Sequence, residues 1–233
     1  MESKKTKLLD KLKTIISSIS RRNKYLDIGA GNGHITKQIA EYYDCTEIIE
    51  PDKKFHKNYD SIKNKIVYEC DLQNFNTCKK YDLIICSHAM YYIPEEEWTS
   101  MIKKIYNMLE PTGICIFVSI SNDGKYKNFL DTININHPTS KNLLEKLNDL
   151  NYRYSVTSHD VLLKTQSKEK SLDIIKYFVI GDCFDIEEQK NISDFYMTYI
   201  DSVIDEYVES CKDKDNFVLN FSEDIIVCWL ISY

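Results

Sequence analysis

The sequence has little that would suit a membrane protein. Its longest apolar runs, 114–120 and 225–231, are far shorter than the roughly 18 to 20 residues that cross a bilayer. The N-terminal stretch lacks the uninterrupted apolar core of a secretory signal, because Asp10 and Lys11 break residues 8–20. We therefore expect a cytoplasmic protein with no membrane contact.

Paired cysteine motifs are also missing. The eight cysteines include no CxxC pair and are scattered through apolar or strand-like segments. Disulfide frameworks and zinc sites depend on closely spaced or regularly paired cysteines. The pattern indicates free, mostly buried thiols in a reducing compartment, and no metal site.

The chain also lacks an excess of positive charge. Its 30 lysines and arginines face 36 aspartates and glutamates, which gives a formal net charge of −6. Broad binding to a phosphate backbone depends on an excess of bases, so the composition argues against a nucleic-acid partner. Residues 1–24 differ, with eight bases against two acids. We interpret them as a solvated helix face, and a role in attracting RNA stays open.

What the sequence does contain is the pattern of an α/β protein. Its 233 residues suit a single domain with one core. Short apolar or β-branched runs alternate with helical periodicity, which predicts a largely parallel sheet. The predicted strands are 24–28, 46–49, 66–70, 81–87, 114–120, 152–164 and 225–231, and the predicted helices are 4–20, 35–43, 95–109, 140–150, 169–178 and 192–208.

A glycine-rich turn follows the first predicted strand, with the sequence DIGAGNG at 27–33. Glycines let backbone approach a ligand closely, and the helix that follows presents free N–H groups and the positive end of its dipole. A glycine turn alone can also be purely structural. Its position at a strand end makes Asp27, Gly29, Gly31 and Gly33 candidate ligand-binding residues.

Two further acids stand where the next two strands end. Glu50 follows strand 46–49, about 20 residues after the turn, where a carboxylate can accept both hydrogen bonds of a ribose diol. Asp71 follows strand 66–70, where it could meet the exocyclic amine of an adenine. Parallel strands end at one sheet edge, so these acids predict a single nucleoside ligand there. The G-x-G-x-G spacing after Asp27 favours S-adenosylmethionine over a dinucleotide.

In this order, the motifs resemble those of class I S-adenosylmethionine-dependent methyltransferases over roughly residues 20–120. The resemblance implies a Rossmann-like fold with a seven-stranded mixed sheet, flanking helices and an N-terminal helix. We expect one domain over 1–233, divided into a helical lid at 1–23, a cofactor-binding core at 24–120 and a substrate side at 121–233. Other segments look like histamine N-methyltransferase and its relatives; they are 49–52, 90–94, 107–109 and 118–130, with weaker similarity at 140–151 and 181–184.

The same resemblance implies roles for single residues around the cofactor. Gly29 would contact the methionine part and Glu50 the ribose. Asp71 or Leu72 would contact the adenine region, and Ser87 the edge of the cofactor.

The resemblance places His88 and Tyr92 in the acceptor pocket, and Tyr91, Glu223 and Asp224 are further candidates. Each also has an ordinary structural explanation, as a hydrogen-bonded histidine, a packed tyrosine or a solvated acid. His88 stands where the histamine enzyme has glutamine, and that enzyme's acidic N-terminal substrate ligand has no counterpart here. Both departures argue against histamine itself.

We therefore expect a monomeric methyltransferase that uses S-adenosylmethionine to N-methylate a small amine-bearing molecule. In-line transfer needs alignment more than covalent catalysis, so no catalytic residue is assigned. Two alternatives stay open. One is an RNA or protein methyltransferase that uses the basic N-terminal helix, and the other is a noncatalytic binding subunit, against which the intact residues 27–33, Glu50 and Asp71 argue.

Overall fold

The computed structural model describes residues 5–184 and 192–230. Its strands are β1 Lys24–Ile28, β2 Cys45–Ile49, β3 Lys65–Tyr68, β4 Tyr81–Ser87, β5 Leu109–Ile120, β6 Arg153–Thr165, β7 Lys212–Asp213 and β8 Asn216–Trp229. Its α-helices are α1 Lys5–Ser17, α2 His34–Ala40, α3 Trp98–Asn107, α4 Lys125–Thr132, α5 Ser140–Asp149, α6 Lys168–Cys183 and α7 Asp194–Ser210. Short 3-10 helices lie at Lys53–Tyr59, Met90–Tyr92 and Glu95–Glu97.

One mixed sheet runs through the described residues in the order β3-β2-β1-β4-β5-β8-β6. Strands β1 to β5 pair in parallel, and β8 runs antiparallel between β5 and β6. The two-residue β7 pairs with β8 outside this order. The predicted Rossmann-like seven-stranded mixed sheet with flanking helices is confirmed. Strand order reverses between β1 and β4, and α/β sheets bind ligands at such a switch point.

One face of the sheet is covered by α1 and α2. Leu12 and Ile16 of α1 are fully buried in a cluster that includes Leu83 of β4 and Ile116 of β5. Burying one such side chain contributes roughly 1.5–3 kcal/mol to stability. The N-terminal helix is therefore part of the core packing of this face.

The opposite face is covered by α3 and α5. Trp98, Ile102 and Ile105 recur at helical spacing on α3 and are buried in one cluster with Leu143 of α5. The Trp98 indole N–H donates to the carbonyl oxygen of Ile93 at 2.9 Å, so its one polar group is satisfied. This contact joins the first residue of α3 to the segment that follows β4.

A second cluster lies toward the far ends of β6 and β8. These strands are 13 and 14 residues long, whereas β1 and β2 have five residues each. The additional residues of β6 and β8 pack with α4, α6 and α7. This cluster includes Phe129, Ile175, Ile204 and Leu219. Residues from the C-terminal half thus add an apolar layer beside the carboxyl edge of the sheet.

The predicted helix over 95–109 and strand over 114–120 have different boundaries in the structure, since the chain enters β5 at Leu109. A Cβ at Gly113 would lie only 2.6 Å from the carbonyl oxygen of Tyr81, so glycine permits the close approach of the chain to β4 there. The register between β4 and β5 shifts at the same level. Pro111 and Gly113, which lie between the predicted helix and the predicted strand, belong to an irregular segment of β5.

Other boundaries also differ. The last strand, predicted over 225–231, begins at Asn216, and Ile231 lies outside the described residues, as does residue 4 of the predicted helix 4–20. Helix α4 was not predicted. Among residues 5–184 and 192–230, no helix has the length and apolarity of a membrane span.

Candidate functional site

The glycine turn leaves β1 at the switch point of the sheet. The Gly29 N–H donates to the carbonyl oxygen of Ile49 at 2.8 Å, which joins the ends of β1 and β2. A Cβ at Gly29 would lie 2.5 Å from Cβ of Ala89, so this glycine permits close packing against the turn after β4. Gly31 has φ 52°, and a Cβ there would meet no heavy atom of the described residues within 4 Å. Its backbone therefore faces open space.

Glu50 braces this turn from the end of β2. Its Oε2 accepts the N–H of Gly31 at 2.7 Å, and its Oε1 accepts the N–H of Asp52 at 2.9 Å. The Tyr59 hydroxyl donates to the carbonyl oxygen of Gly31 at 2.5 Å. Both backbone polar groups of Gly31 are thus held, and Glu50 is only 5% exposed. The turn has a fixed shape while one side of it stays open.

Asp27 lies beneath the turn and is 3% exposed. Its Oδ2 accepts hydrogen bonds from the hydroxyls of Tyr25 at 2.7 Å and Thr36 at 2.6 Å. Burial raises the pKa of Asp27 to about 6, although these two hydrogen bonds act in the opposite direction. Asp27 therefore ties β1 to α2.

The third predicted acid, Asp71, is exposed in a local turn beyond β3. Its two carboxylate oxygens accept from the backbone N–H and the side-chain amide of Asn74, at 2.8 and 3.1 Å. Leu72 beside it is buried, and Ser87 is half-buried at the end of β4. Asp27 and Glu50 thus share the glycine turn directly, whereas Asp71 has its own turn.

His88 follows β4 with an unusual backbone conformation, φ 53°. A left-handed conformation costs a non-glycine residue about 1–2 kcal/mol, and histidine is one of the residues that adopt it more often. The His88 N–H donates to the carbonyl oxygen of Val118 at 2.9 Å, which anchors the turn to β5. Its Nε2 lies 3.3 Å from Oε1 of Glu223, and its side chain is 36% exposed.

Glu223 lies between two imidazoles. On the side opposite His88, its Oε2 is 3.4 Å from Nε2 of His159, without the alignment of a hydrogen bond. Burial raises the pKa of Glu223, but the two histidines outweigh burial and hold that pKa below its usual range. Burial lowers the pKa of His159. Glu223 is therefore a carboxylate at neutral pH.

Tyr91 completes this side of the site. Its hydroxyl oxygen accepts the N–H of Ile120 at 2.5 Å and lies 3.0 Å from Oγ of Ser119. Its ring meets the buried His137 ring edge-on, with centroids 4.6 Å apart. Tyr92, the residue predicted to face the acceptor, is 72% exposed. The tyrosine beside His88 in this structure is Tyr91.

Asp224 points away from Glu223, because consecutive strand residues face opposite sides of a sheet. Its Oδ2 accepts the hydroxyl of Ser140 at 2.6 Å, at the start of α5. Asp224 is buried beside α5, and the structure does not bring it to His88.

Sequence reasoning did not identify Tyr59, Thr36, His137 or His159. Their roles depend on strand register and loop geometry. A histidine in an alternating strand such as β6 carries no local signal of its partner on β8. A cross-strand search for charged residues near the last strand would have suggested His159.

Comparison with known proteins gives a family match. A family model described as Nodulation protein S (NodS) matches residues 6–126, more than half of the chain. Nodulation protein S of Azorhizobium caulinodans is 30% identical over 101 residues, which are 42% of this chain and 49% of that protein. The chain spans about half the length of the curated relatives it matches.

Solved structures share the fold. The YcgJ protein of Bacillus subtilis has a TM-score of 0.64 at 14% identity, covering 96% of this chain and 99% of that one. The N-methyltransferase NodS of Bradyrhizobium japonicum, in complex with S-adenosyl-L-homocysteine, has a TM-score of 0.53 at 18% identity, covering 70% and 80%. At these identities the likeness supports the fold alone.

Proposed function

The chain belongs to the Nodulation protein S (NodS) family, and we propose that it is an S-adenosylmethionine-dependent methyltransferase that methylates a nitrogen of a small amine-bearing molecule. The observation that carries this proposal is the braced, open turn at Gly31, which Glu50 holds at the switch point between β1 and β4. This is the place where the fold binds nucleoside ligands.

The residues at this edge fit S-adenosylmethionine. Gly31 leaves room for close approach of a ligand, and the carboxylates of Glu50 and Asp71 follow neighbouring strands as acceptors for ribose and adenine groups. Gly29, Gly33, Leu72 and Ser87 would complete the set of contacts, with Asp27 supporting the turn from below. When bound, the cofactor supplies a methyl group activated by a positively charged sulfur.

The acceptor side has the chemistry for an amine. Glu223 remains ionised at neutral pH and attracts a cationic ammonium toward His88. The rings of Tyr91 and His137 give an aromatic wall beside it. The NodS of Bradyrhizobium japonicum is an N-methyltransferase, which agrees with a nitrogen acceptor.

An RNA or protein acceptor is the second candidate, because residues 1–24 are rich in bases. Four of these bases already have partners within the described residues, namely Lys11, Lys13, Arg21 and Arg22. Lys11 Nζ donates to the carbonyl oxygen of Ser158 at 3.2 Å, and Lys13 Nζ donates to the Gln38 side-chain oxygen at 3.1 Å. These contacts favour a structural role for α1.

The proposal is tested in two stages. Titration calorimetry with S-adenosylhomocysteine measures cofactor binding, and a radiolabelled methyl-transfer screen over pooled amines, peptides and tRNA measures acceptor class. We expect binding and labelled amine. No binding at millimolar concentration overturns the cofactor assignment, and label confined to peptide or tRNA overturns the amine assignment.

A further inference from the structure

We propose that Nδ1 of His88 removes a proton from the acceptor ammonium, and that Glu223 is the positioning residue that prepares His88 for this step. The proposal rests on the proposed function, since it assigns a proton acceptor to the same site. It starts from a carboxylate between two imidazoles at the carboxyl edge of the sheet.

Solvent exposure of the side chain distinguishes the two imidazoles. The His88 side chain is 36% exposed, whereas that of His159 is 6% exposed. His88 is also adjacent to Ala89, the residue that packs against Gly29 in the cofactor turn. His88 is therefore the imidazole that a substrate can reach, and it adjoins the turn where the methyl donor is proposed to bind.

The position of the ring hydrogen identifies the reactive nitrogen of His88. An ionised carboxylate only accepts hydrogen bonds, so Glu223 favours a hydrogen on Nε2 of His88 and leaves the lone pair on Nδ1. Nδ1 is 3.5 Å from the Tyr91 hydroxyl oxygen. That hydroxyl has a closer neighbour in Ser119 Oγ, at 3.0 Å, and its oxygen already accepts from Ile120. The contact between Nδ1 and the Tyr91 hydroxyl is therefore the longer of the two, and a substrate N–H can replace it.

His159 lies beside Glu223 without neutralising its charge. Burial lowers the pKa of His159, so this ring is neutral at pH 7. The negative charge of Glu223 therefore remains to interact with His88. Glu223 itself is held between β5 and β6, opposite Ile120 and His159 in the register. The titratable and charged groups around this cluster are Tyr91, His137, His159, Asp160, Glu223, Lys11 and Lys127.

The proton step transfers one proton from the acceptor nitrogen to His88. An N–H bond of the acceptor ammonium breaks, its electron pair stays on the acceptor nitrogen, and the proton bonds to Nδ1 of His88. The resulting imidazolium lies beside the Glu223 carboxylate, which stabilises its charge. The acceptor nitrogen then carries the lone pair that in-line methyl transfer requires.

The first test needs no acceptor. The full chain, labelled with ¹⁵N at its five histidines and bound to S-adenosylhomocysteine, is examined by side-chain ¹⁵N NMR. The signals of His88 are assigned by their loss in His88→Asn, since asparagine tolerates the positive φ at this position. We expect the neutral form of His88 to carry its hydrogen on Nε2 and to have a bare Nδ1. A hydrogen on Nδ1 with a bare Nε2 overturns the proposal.

The second test follows kcat against pH with the amine found in the methyl-transfer screen. Loss of a general base typically lowers rate by about 10²–10⁴-fold, so His88→Asn should lower kcat by at least about 100-fold at pH 7 with little change in KM. The deficit should shrink toward pH 10, where free amine becomes abundant. Glu223→Gln should lower kcat about tenfold or more and move the acidic limb of the profile, with Glu223→Asp restoring part of the loss.

Glu145→Gln is the matched control, the same acid-to-amide change at an exposed glutamate of α5. It should leave kcat and the profile unchanged. If the wild type is active and His88→Asn keeps full kcat, or if its deficit is the same at every pH, this proposal is wrong and the proposed function stands. If the wild type methylates no acceptor, both are wrong.

Discussion

Oε2 of Glu50 accepts the backbone N–H of Gly31 across 2.7 Å, so a carboxylate after β2 sets the shape of the turn after β1. The same carboxylate is proposed to meet a ribose. Bracing of the turn and ligand binding are therefore coupled at one residue.

Glu50→Ala should weaken cofactor binding and destabilise the turn together. The N–H groups of Gly31 and Asp52 lose their acceptor, and an unsatisfied buried donor costs about 1–3 kcal/mol. We expect at least about tenfold weaker binding of S-adenosylhomocysteine by calorimetry and a lower Tm. Glu41→Ala, on an exposed glutamate after α2, is the control. Unchanged affinity in Glu50→Ala would contradict the site.

Two glycine substitutions should separate binding from folding. Gly29→Ala puts a Cβ 2.5 Å from Ala89, so it should strongly lower Tm. Gly31→Ala meets only backbone strain, about 1–2 kcal/mol, because its Cβ points into open space. If that space holds the cofactor, Gly31→Ala weakens S-adenosylhomocysteine binding while the circular dichroism spectrum stays native. Wild-type affinity in Gly31→Ala would place the ligand elsewhere.

Asp27 should make the fold less stable as pH rises. Its pKa is about 6 in the folded protein against an ordinary value of 3.8, so the folded state binds the proton more tightly than the unfolded state. Stability from this group is complete below about pH 4 and is lost as pH rises through about 6, by up to roughly 3 kcal/mol. Urea unfolding at several pH values should show the slope in the wild type and not in Asp27→Asn. If the free energy of unfolding depends on pH equally in both proteins, Asp27 is not the cause of the dependence.

Lys79 should stabilise the fold through Glu47 with the opposite pH dependence. Burial raises the pKa of Glu47, but Lys79 and two tyrosine hydroxyls outweigh burial and lower it overall. Lys79→Met should destabilise by about 1–3 kcal/mol at pH 7, allowing for the partial exposure of Lys79. The loss should disappear in urea unfolding as pH falls and Glu47 becomes protonated. Lys63→Met, on an exposed lysine, is the control, and a loss independent of pH would exclude the ion pair as its cause.

Reversing Lys11 and Lys13 to glutamate should distinguish the acceptor classes. A polymeric RNA acceptor loses affinity steeply with salt and with each lost cation, whereas a small amine responds weakly. We expect little change in methyl-transfer rate from 50 to 200 mM salt in either protein. A steep salt dependence that the double variant removes would support the RNA alternative.

The cofactor turn could be predicted because its signals are local. Glycines at 29, 31 and 33 and an acid after the next strand are visible in the sequence, and parallel strand order brings them to one edge. The proposed proton site could be predicted only in part. His88 and Glu223 were both named, but their contact depends on β8 entering the sheet between β5 and β6.

The choice between two adjacent tyrosines illustrates the same limit. Tyr91 and Tyr92 both belong to the 3-10 helix Met90–Tyr92. Tyr91 faces Ser119 and His137, whereas Tyr92 is mostly exposed. Neighbouring residues in a single helical turn have no repeating pattern, so the sequence could not indicate which ring turns inward.

The position of β8 also determines the order in which the sheet can be completed. Strand β8 fills the space between β5 and β6, so β5 has an unpaired edge until residues 216–229 have left the ribosome. Unpaired apolar strand edges promote association between chains, and pairing over long sequence separations is slow. Chains interrupted before residue 216 are therefore the ones that should aggregate during synthesis.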